Sequence, residues 1–296
     1  MEDFTQRFVD TTEARIFTCS VGRGPPLLLL HGFPQSHRMW RKVAGALSRD
    51  FRVVCADLRG YGQSSCPASD TEHAPYSKRA MARDMAVVMD ALGHQSFAIA
   101  GHDRGGRVAY RLALDHPERV SRLAVLDIVP TESAWARADA NFALAFWPWV
   151  LLAQDAPLPE TMISSSAAAI VDHALSAWGS PPEAFSTEER DAYAATLRDS
   201  RHAHAICEEY RAAATLDRRH DRADREQSRK IRCPLLSLWS RGGTLDSWYA
   251  NEGGPLALWR EIADDVQGTS IEGGHFFPEQ NPQETAERLA SFFGAS

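Results

Sequence analysis

The stretch at residues 97–107, Phe-Ala-Ile-Ala-Gly-His-Asp-Arg-Gly-Gly-Arg, constrains this chain more than any other. An apolar strand runs into Gly101, Asp103 follows two residues later, and a glycine pair opens a helix expected from about Val108. A strand-to-helix turn this tight is an elbow that holds one side chain up at the end of a sheet. The elbow residue here is Asp103, and that choice sets the chemistry. A serine must lose a proton as it attacks, which suits acyl transfer at a carbonyl carbon. A carboxylate is already ionised at neutral pH and can attack a saturated carbon without a base. The product of that attack is an ester of the protein itself, which water must later cleave.

The rest of the chain supplies a sheet for the elbow. Residues 15–20, 26–30, 52–56 and 120–126 read as short buried strands, and 79–92 carries Met81, Met85, Val88 and Met89 at helical spacing. Strands alternating with helices imply a mostly parallel sheet with crossover helices on both faces. Ligands bind such sheets at the carboxyl ends of the strands, where the elbow lies. From about residue 130 the pattern turns helical, alanine-rich and tryptophan-bearing, and strands resume at 234–239 and 268–271 before a closing helix at 283–293. The expected organisation is a core over residues 1–129, a helical cap over 130–224, and the remainder of the core over 225–296.

With Asp103, an acid and a histidine make a set of three that appears in the chain order nucleophile, acid, histidine. His275 lies in Gly273-Gly274-His275-Phe276, just past a strand, where an imidazole can take a proton from water near neutral pH. A carboxylate must fix its tautomer, and both Asp127 and Asp246 follow strands at suitable places. Asp127 is preferred because it ends a buried strand, whereas Asp246 lies in a glycine-flanked stretch. Backbone N–H groups of Phe33, after His31-Gly32, and of Arg104 are the expected oxyanion donors. His31 and His102 are expected to brace these loops. A lone histidine after a strand is more often structural, so the weight rests on the ordered set. Arg104 and Arg107 share a helix face beside Asp103, which suits either an internal ion-pair network or a two-pronged clamp for a substrate carboxylate. The clamp reading makes the substrate a short acid with a leaving group on its α-carbon.

Composition excludes some partners. A formal charge of −7 argues against nucleic acid or an anionic membrane as the main partner, while two local arginines still suit a small anionic substrate. The first residues lack the basic start and apolar run of a signal peptide, and the run at 143–152 is too short to span a bilayer. Five cysteines without paired spacing read as reduced thiols, consistent with a cytoplasmic protein. No metal-ligand cluster or phosphate loop is visible, so no cofactor is implied.

These motifs resemble those of the haloacetate (fluoroacetate) dehalogenases of the α/β-hydrolase superfamily, with epoxide hydrolases as close relatives. The likeness spans nearly the whole chain and is carried by His31-Gly32-Phe33-Pro34, Asp57-Leu58-Arg59-Gly60-Tyr61-Gly62, the elbow, Glu209-Tyr210-Arg211-Ala212 and Gly273-Gly274-His275-Phe276. The Asp-Arg-Gly-Gly-Arg piece discriminates, since the related haloalkane dehalogenases and epoxide hydrolases usually carry Trp at the position of Arg104. The resemblance implies an α/β-hydrolase fold with Asp103 as nucleophile, Asp127 and His275 as acid and base, and Arg104 and Arg107 as carboxylate clamp; it also implies a homodimer. Relatives that cleave the carbon–fluorine bond are expected to hold fluoride with a His-Trp pair and a Tyr. Here Trp149 keeps its place, as a halide donor or as cap core, while Pro148 replaces the histidine and Thr215 is the expected tyrosine position. Chloro- and bromoacetate are therefore favoured over fluoroacetate. The alternatives are an epoxide hydrolase drawing on Tyr210 and Tyr193, or a non-catalytic protein that binds a small carboxylate.

Overall fold

The computed structural model describes residues 4–294. Its frame is one eight-stranded sheet: β1 (Thr5–Asp10), β2 (Arg15–Val21), β3 (Pro26–Leu30), β4 (Arg52–Ala56), β5 (Phe97–His102), β6 (Val120–Leu126), β7 (Leu235–Ser240) and β8 (Val266–Ile271). The order across the sheet is β1-β2-β4-β3-β5-β6-β7-β8. The β1–β2 and β2–β4 pairs are antiparallel and every other pair is parallel. The chain has an α/β-hydrolase fold.

A strand buried on both faces must be apolar throughout, and β3 is nearly a run of leucines. Leu28 and Leu30 pack on one face with residues of α2 (Lys78–Ala91) and α3 (Arg104–Asp115). Leu27 and Leu29 pack on the other with α1 (Arg41–Leu47) and the closing helix α15 (Pro282–Gly294). The parallel register aligns Leu30 with Gly101 and His102 with Leu126, so the loops leaving β3, β5 and β6 emerge side by side.

Between β6 and β7 the described residues form eight α-helices: α4 (Thr131–Ala136), α5 (Ala140–Ala145), α6 (Trp147–Leu151), α7 (Leu158–Ser165), α8 (Ala167–Ala177), α9 (Thr187–Arg198), α10 (Ser200–Ala214) and α11 (Leu216–Glu226). Short helices α12 (Thr244–Trp248), α13 (Gly254–Arg260) and α14 (Phe277–Gln280) complete the chain. Among the described residues no helix is long and apolar enough to cross a membrane.

Two features differ from the sequence expectation. Strand β1 was not anticipated, because only Val9 of its six residues is buried and the apolar alternation is weak. Helix α3 begins at Arg104 rather than near Val108. Its two glycines do not break it; they let it start in contact with the sheet. A methyl group on Gly105 would lie 2.4 Å from the His31 carbonyl oxygen, and one on Gly101 2.4 Å from that of Gly105.

Candidate active site

Asp103 sits between β5 and α3 with φ 45° and ψ −115°, a conformation an L-residue adopts only when its surroundings force it. The strain aims the carboxylate at the loop after β3, where Oδ1 accepts the Phe33 N–H at 2.9 Å. Gly32 makes that approach possible: a β-carbon there would lie 2.4 Å from Asp103 Cβ. Burial pushes the Asp103 carboxyl up, but the positive charges of His275, Arg104 and Arg107 outweigh it and hold it below the usual aspartate value. It is an anion at neutral pH.

His275 follows β8, and Asp127 follows β6. The Nδ1–H of His275 donates to Asp127 Oδ2 at 2.6 Å, which leaves Nε2 as the free basic nitrogen. Asp127 is itself fixed by positive φ and by the Ser240 N–H on its Oδ1 at 2.9 Å. Burial lowers the His275 pKa, yet the Asp127 hydrogen bond and charge, followed by the charge of Asp103, bring it above the ordinary histidine value. Asp246, in the first turn of α12, serves elsewhere, accepting from Nε1 of Trp239 on β7 and from the Gly242 N–H. The chain between α8 and α9 steadies the histidine loop, since the His275 N–H donates to the Trp178 carbonyl at 2.7 Å.

The two other histidines brace backbone. His102 is buried, and burial with the nearby His275 charge lowers its pKa to about 4, so its neutral ring donates from Nε2 to the His275 carbonyl at 2.8 Å. His31 Nδ1 donates to the Gly32 carbonyl at 3.0 Å, and Nε2 accepts the Leu58 N–H at 3.1 Å.

Arg104 and Arg107 are buried beside the Trp149 ring of α6. Arg104 pairs with Glu209 of α10, its Nε lying 2.8 and 2.9 Å from the two carboxylate oxygens. Among the described residues Arg107 has no carboxylate partner; Nη1 donates to the Val129 carbonyl at 3.0 Å and to Thr131 Oγ1 at 3.1 Å. Two buried donors, Arg104 Nη1 and Arg107 Nε, have no hydrogen-bond partner among the described residues. Unmet donors of charged groups in an interior are costly, and they mark where an anion would be held.

Aromatic rings cover this pair. The Trp149 ring lies 4.4 Å from the Arg107 guanidinium and 5.4 Å from that of Arg104. Tyr210 lies 4.1 Å from Arg104 and packs edge-on against Phe33. Burial raises the Tyr210 pKa, so its phenol stays protonated and able to donate. The tyrosine at the site is thus Tyr210. Thr215, the expected position, is exposed and donates to the Arg211 carbonyl at the end of α10. Pro148 is buried in the first turn of α6 and has no N–H to offer. Tyr193 hydrogen-bonds Glu279 at 3.2 Å through its hydroxyl, in a buried contact of its own. Beside the histidine, a cavity of about 690 Å³ is lined by Asp127, Trp178, Trp248 and His275.

Glu209 is the residue that sequence reasoning passed over. It stands in Glu209-Tyr210-Arg211-Ala212, but its partner Arg104 is 105 residues away in the chain.

Comparison with known proteins agrees with the architecture. The pattern described as alpha/beta hydrolase fold matches residues 25–255. A fluoroacetate dehalogenase from Burkholderia sp. is 40% identical over 98% of this chain and 94% of its own length. The soluble epoxide hydrolase of Corynebacterium sp. (strain C12) is 30% identical over 94% of this chain and 93% of its own. The crystal structure of ALR0039 from Nostoc sp PCC 7120, named an alpha/beta hydrolase, superposes with TM-score 0.95 at 47% identity, covering 100% of this chain and 99% of that one. The chain belongs to the α/β-hydrolase family, in the group of the fluoroacetate dehalogenases.

Proposed function

We propose that this protein hydrolyses short α-haloacids, with chloro- and bromoacetate favoured, to the hydroxy acid through an ester on Asp103. The observation that carries the reading is an ionised carboxylate on the elbow next to two buried arginines that each retain an unmet donor. The name of the 40% identical relative points the same way.

In the first step Arg104 Nη1 and Arg107 Nε hold the substrate carboxylate, which also offsets its repulsion from Asp103. Oδ1 of Asp103 is engaged by Phe33, so Oδ2 attacks the α-carbon in line. The new C–O bond forms as the carbon–halogen bond breaks, and halide leaves with the bonding pair toward Trp149 and Tyr210. In the second step His275 Nε2 takes a proton from water, whose oxygen adds to Cγ of Asp103. Negative charge then develops on Oδ1, where the Phe33 N–H already points, with the Arg104 N–H as the second donor of this hole. Collapse expels the hydroxy acid, which takes the proton back from His275; the second water proton leaves to solvent as Asp103 returns to its carboxylate, now carrying one solvent oxygen. Asp127 holds the imidazole and balances its charge throughout.

The electrostatics time the two steps. The charge of Asp103 is one of the causes that raise the His275 pKa. Esterification removes that charge, so the base becomes easier to deprotonate when the second step needs it. Fluoride, a poor leaving group, would meet Trp149 and Tyr210 but Pro148 in place of an imidazole, so fluoroacetate turns over more slowly than bromoacetate. An epoxide hydrolase would need a second acid beside Tyr210, and Tyr193 is already engaged by Glu279. We place the enzyme in the cytoplasm, as a homodimer by analogy with its relatives.

The test is intact mass of His275→Ala after incubation with bromoacetate. A carboxymethyl ester on Asp103 that persists is expected. An ester that forms only with epoxides, or no adduct with any electrophile, would replace this reading with one of its rivals.

A further inference from the structure

Glu209 poses a problem for a site that must attract an anion. It is fully buried behind the clamp and engages Arg104 through Nε and Nη2, which spends most of the guanidinium and cancels its charge. A second buried carboxylate, Asp217, accepts the backbone N–H of Lys78 at 2.9 Å, and its Oδ2 makes no hydrogen bond. Two carboxylates at the back of the clamp would leave Arg104 a poor anion donor.

Lys78, the first residue of α2 and almost fully buried, answers both: burial and then the charge of Arg104 pull its pKa well below the ordinary lysine value, and its place between two carboxylates is what holds the ammonium charged there. Its Nζ donates to Glu209 and lies 3.7 Å from Asp217 Oδ2. Tyr61 hydroxyl adds a contact to Glu209 Oε2 at 3.3 Å. The fork that remains is defined. With Nε and Nη2 of Arg104 held by Glu209, Nη1 is the donor left over, and it is buried and unmet.

We propose that Lys78 and Glu209 determine the specificity of the site for the carboxylate end of its substrate. Glu209 fixes the Arg104 fork so that Nη1 faces the anion, and Lys78 supplies the counter-charge that keeps that donor attractive. Both are positioning residues that act through Arg104. The proposal rests on the haloacid reading, and it adds that the selectivity for acids over neutral analogues is set from α2 and α10, behind the clamp.

The experiment compares wild type, Lys78→Met, Lys78→Arg, Glu209→Gln and the Lys78→Met/Glu209→Gln double variant. Each is measured for kcat and KM with bromoacetate and with neutral bromoacetamide, and for acetate affinity by calorimetry. Lys78→Met should raise KM for bromoacetate and weaken acetate at least about tenfold, the scale of one lost charge-assisted contact, with about twofold or less on bromoacetamide. Lys78→Arg, which keeps the charge, should recover most of the affinity, as should the double variant, which removes one charge of each sign. Should Lys78→Met fail to fold, Glu209→Gln decides alone. Its kcat for bromoacetate should fall at least about tenfold while acetate binds no more weakly, because the fork is loosened but the positive charge is not reduced. Equal effects on both substrates, or a double variant no better than Lys78→Met, would overturn the proposal. The acetate measurement needs no turnover: a wild type that binds acetate but releases no bromide defeats the haloacid reading, and unchanged acetate affinity in Lys78→Met defeats this one.

Discussion

Replacing Arg107 by Ala tests whether this buried guanidinium holds substrate or merely holds the fold. Its internal contacts are modest for a buried charge: two Nη1 contacts, to the Val129 carbonyl and Thr131 hydroxyl, and the face of Trp149. Burial, then the charge of Arg104, lower its pKa, so the protein gains little from keeping this cation in place. Its Nε is the unmet donor. One charge-assisted hydrogen bond to a substrate carboxylate contributes roughly 1.5 to 3 kcal/mol, or about ten- to a hundredfold in affinity. Arg107→Ala should therefore raise KM for bromoacetate by about that factor and leave bromoacetamide within a fewfold. Arg107→Lys should recover only part, because the ammonium keeps the charge without the planar fork. Steady-state kinetics on both substrates, with thermal melts to check folding, read the result. A loss of the same size on the neutral amide would refute the clamp and return Arg107 to a structural role.

Three further outcomes follow from the same geometry. Asp127→Asn should lower kcat by about a thousandfold or more, since the imidazole loses its fixed tautomer, and the ester on Asp103 should accumulate, visible by mass; undiminished turnover would assign the acid elsewhere. Alkylation of Asp103, followed by rapid quench, should be flat with pH across the neutral range, because its carboxyl is held below the ordinary value; ester hydrolysis should rise with pH as His275 loses its proton. A shared pH profile for both steps would contradict the division of labour. Glu279 is a stability test: burial pushes its carboxyl up to about 7, with Gln35 and Tyr193 hydrogen-bonded to it. The folded state then holds a proton that the unfolded chain releases near pH 4.5, so this group costs nothing at lower pH. Its penalty grows to roughly 3 kcal/mol as pH rises to 7. Glu279→Gln should flatten that decline in denaturant midpoints, and an unchanged slope would show that Glu279 titrates normally.

Much of this site is legible in the sequence because local rules suffice for it. The leucine run of β3, the apolar entry to β5 and the glycines of the elbow dictate strands and a close-packed turn wherever they occur. The ordering of Asp103, Asp127 and His275 needs only the parallel topology. What stays hidden depends on the phase of cap helices, which packing sets. Tyr210 and Thr215 sit in or just past α10, yet only Tyr210 faces Arg104, and the apolar pattern around them does not say so. The choice between Asp127 and Asp246 turns on a hydrogen bond across 148 residues. Glu209, Lys78 and Asp217 form one charge cluster from separate elements, a grouping that exists only after folding.

The most direct test of the central claim is a single turnover of bromoacetate in ¹⁸O-water with enzyme in excess. Attack by Asp103 predicts label in the Asp103 peptide and none in the released glycolate. Label in glycolate at the first turnover, with Asp103 unlabelled, would mean that water attacks the substrate carbon directly and that no ester forms.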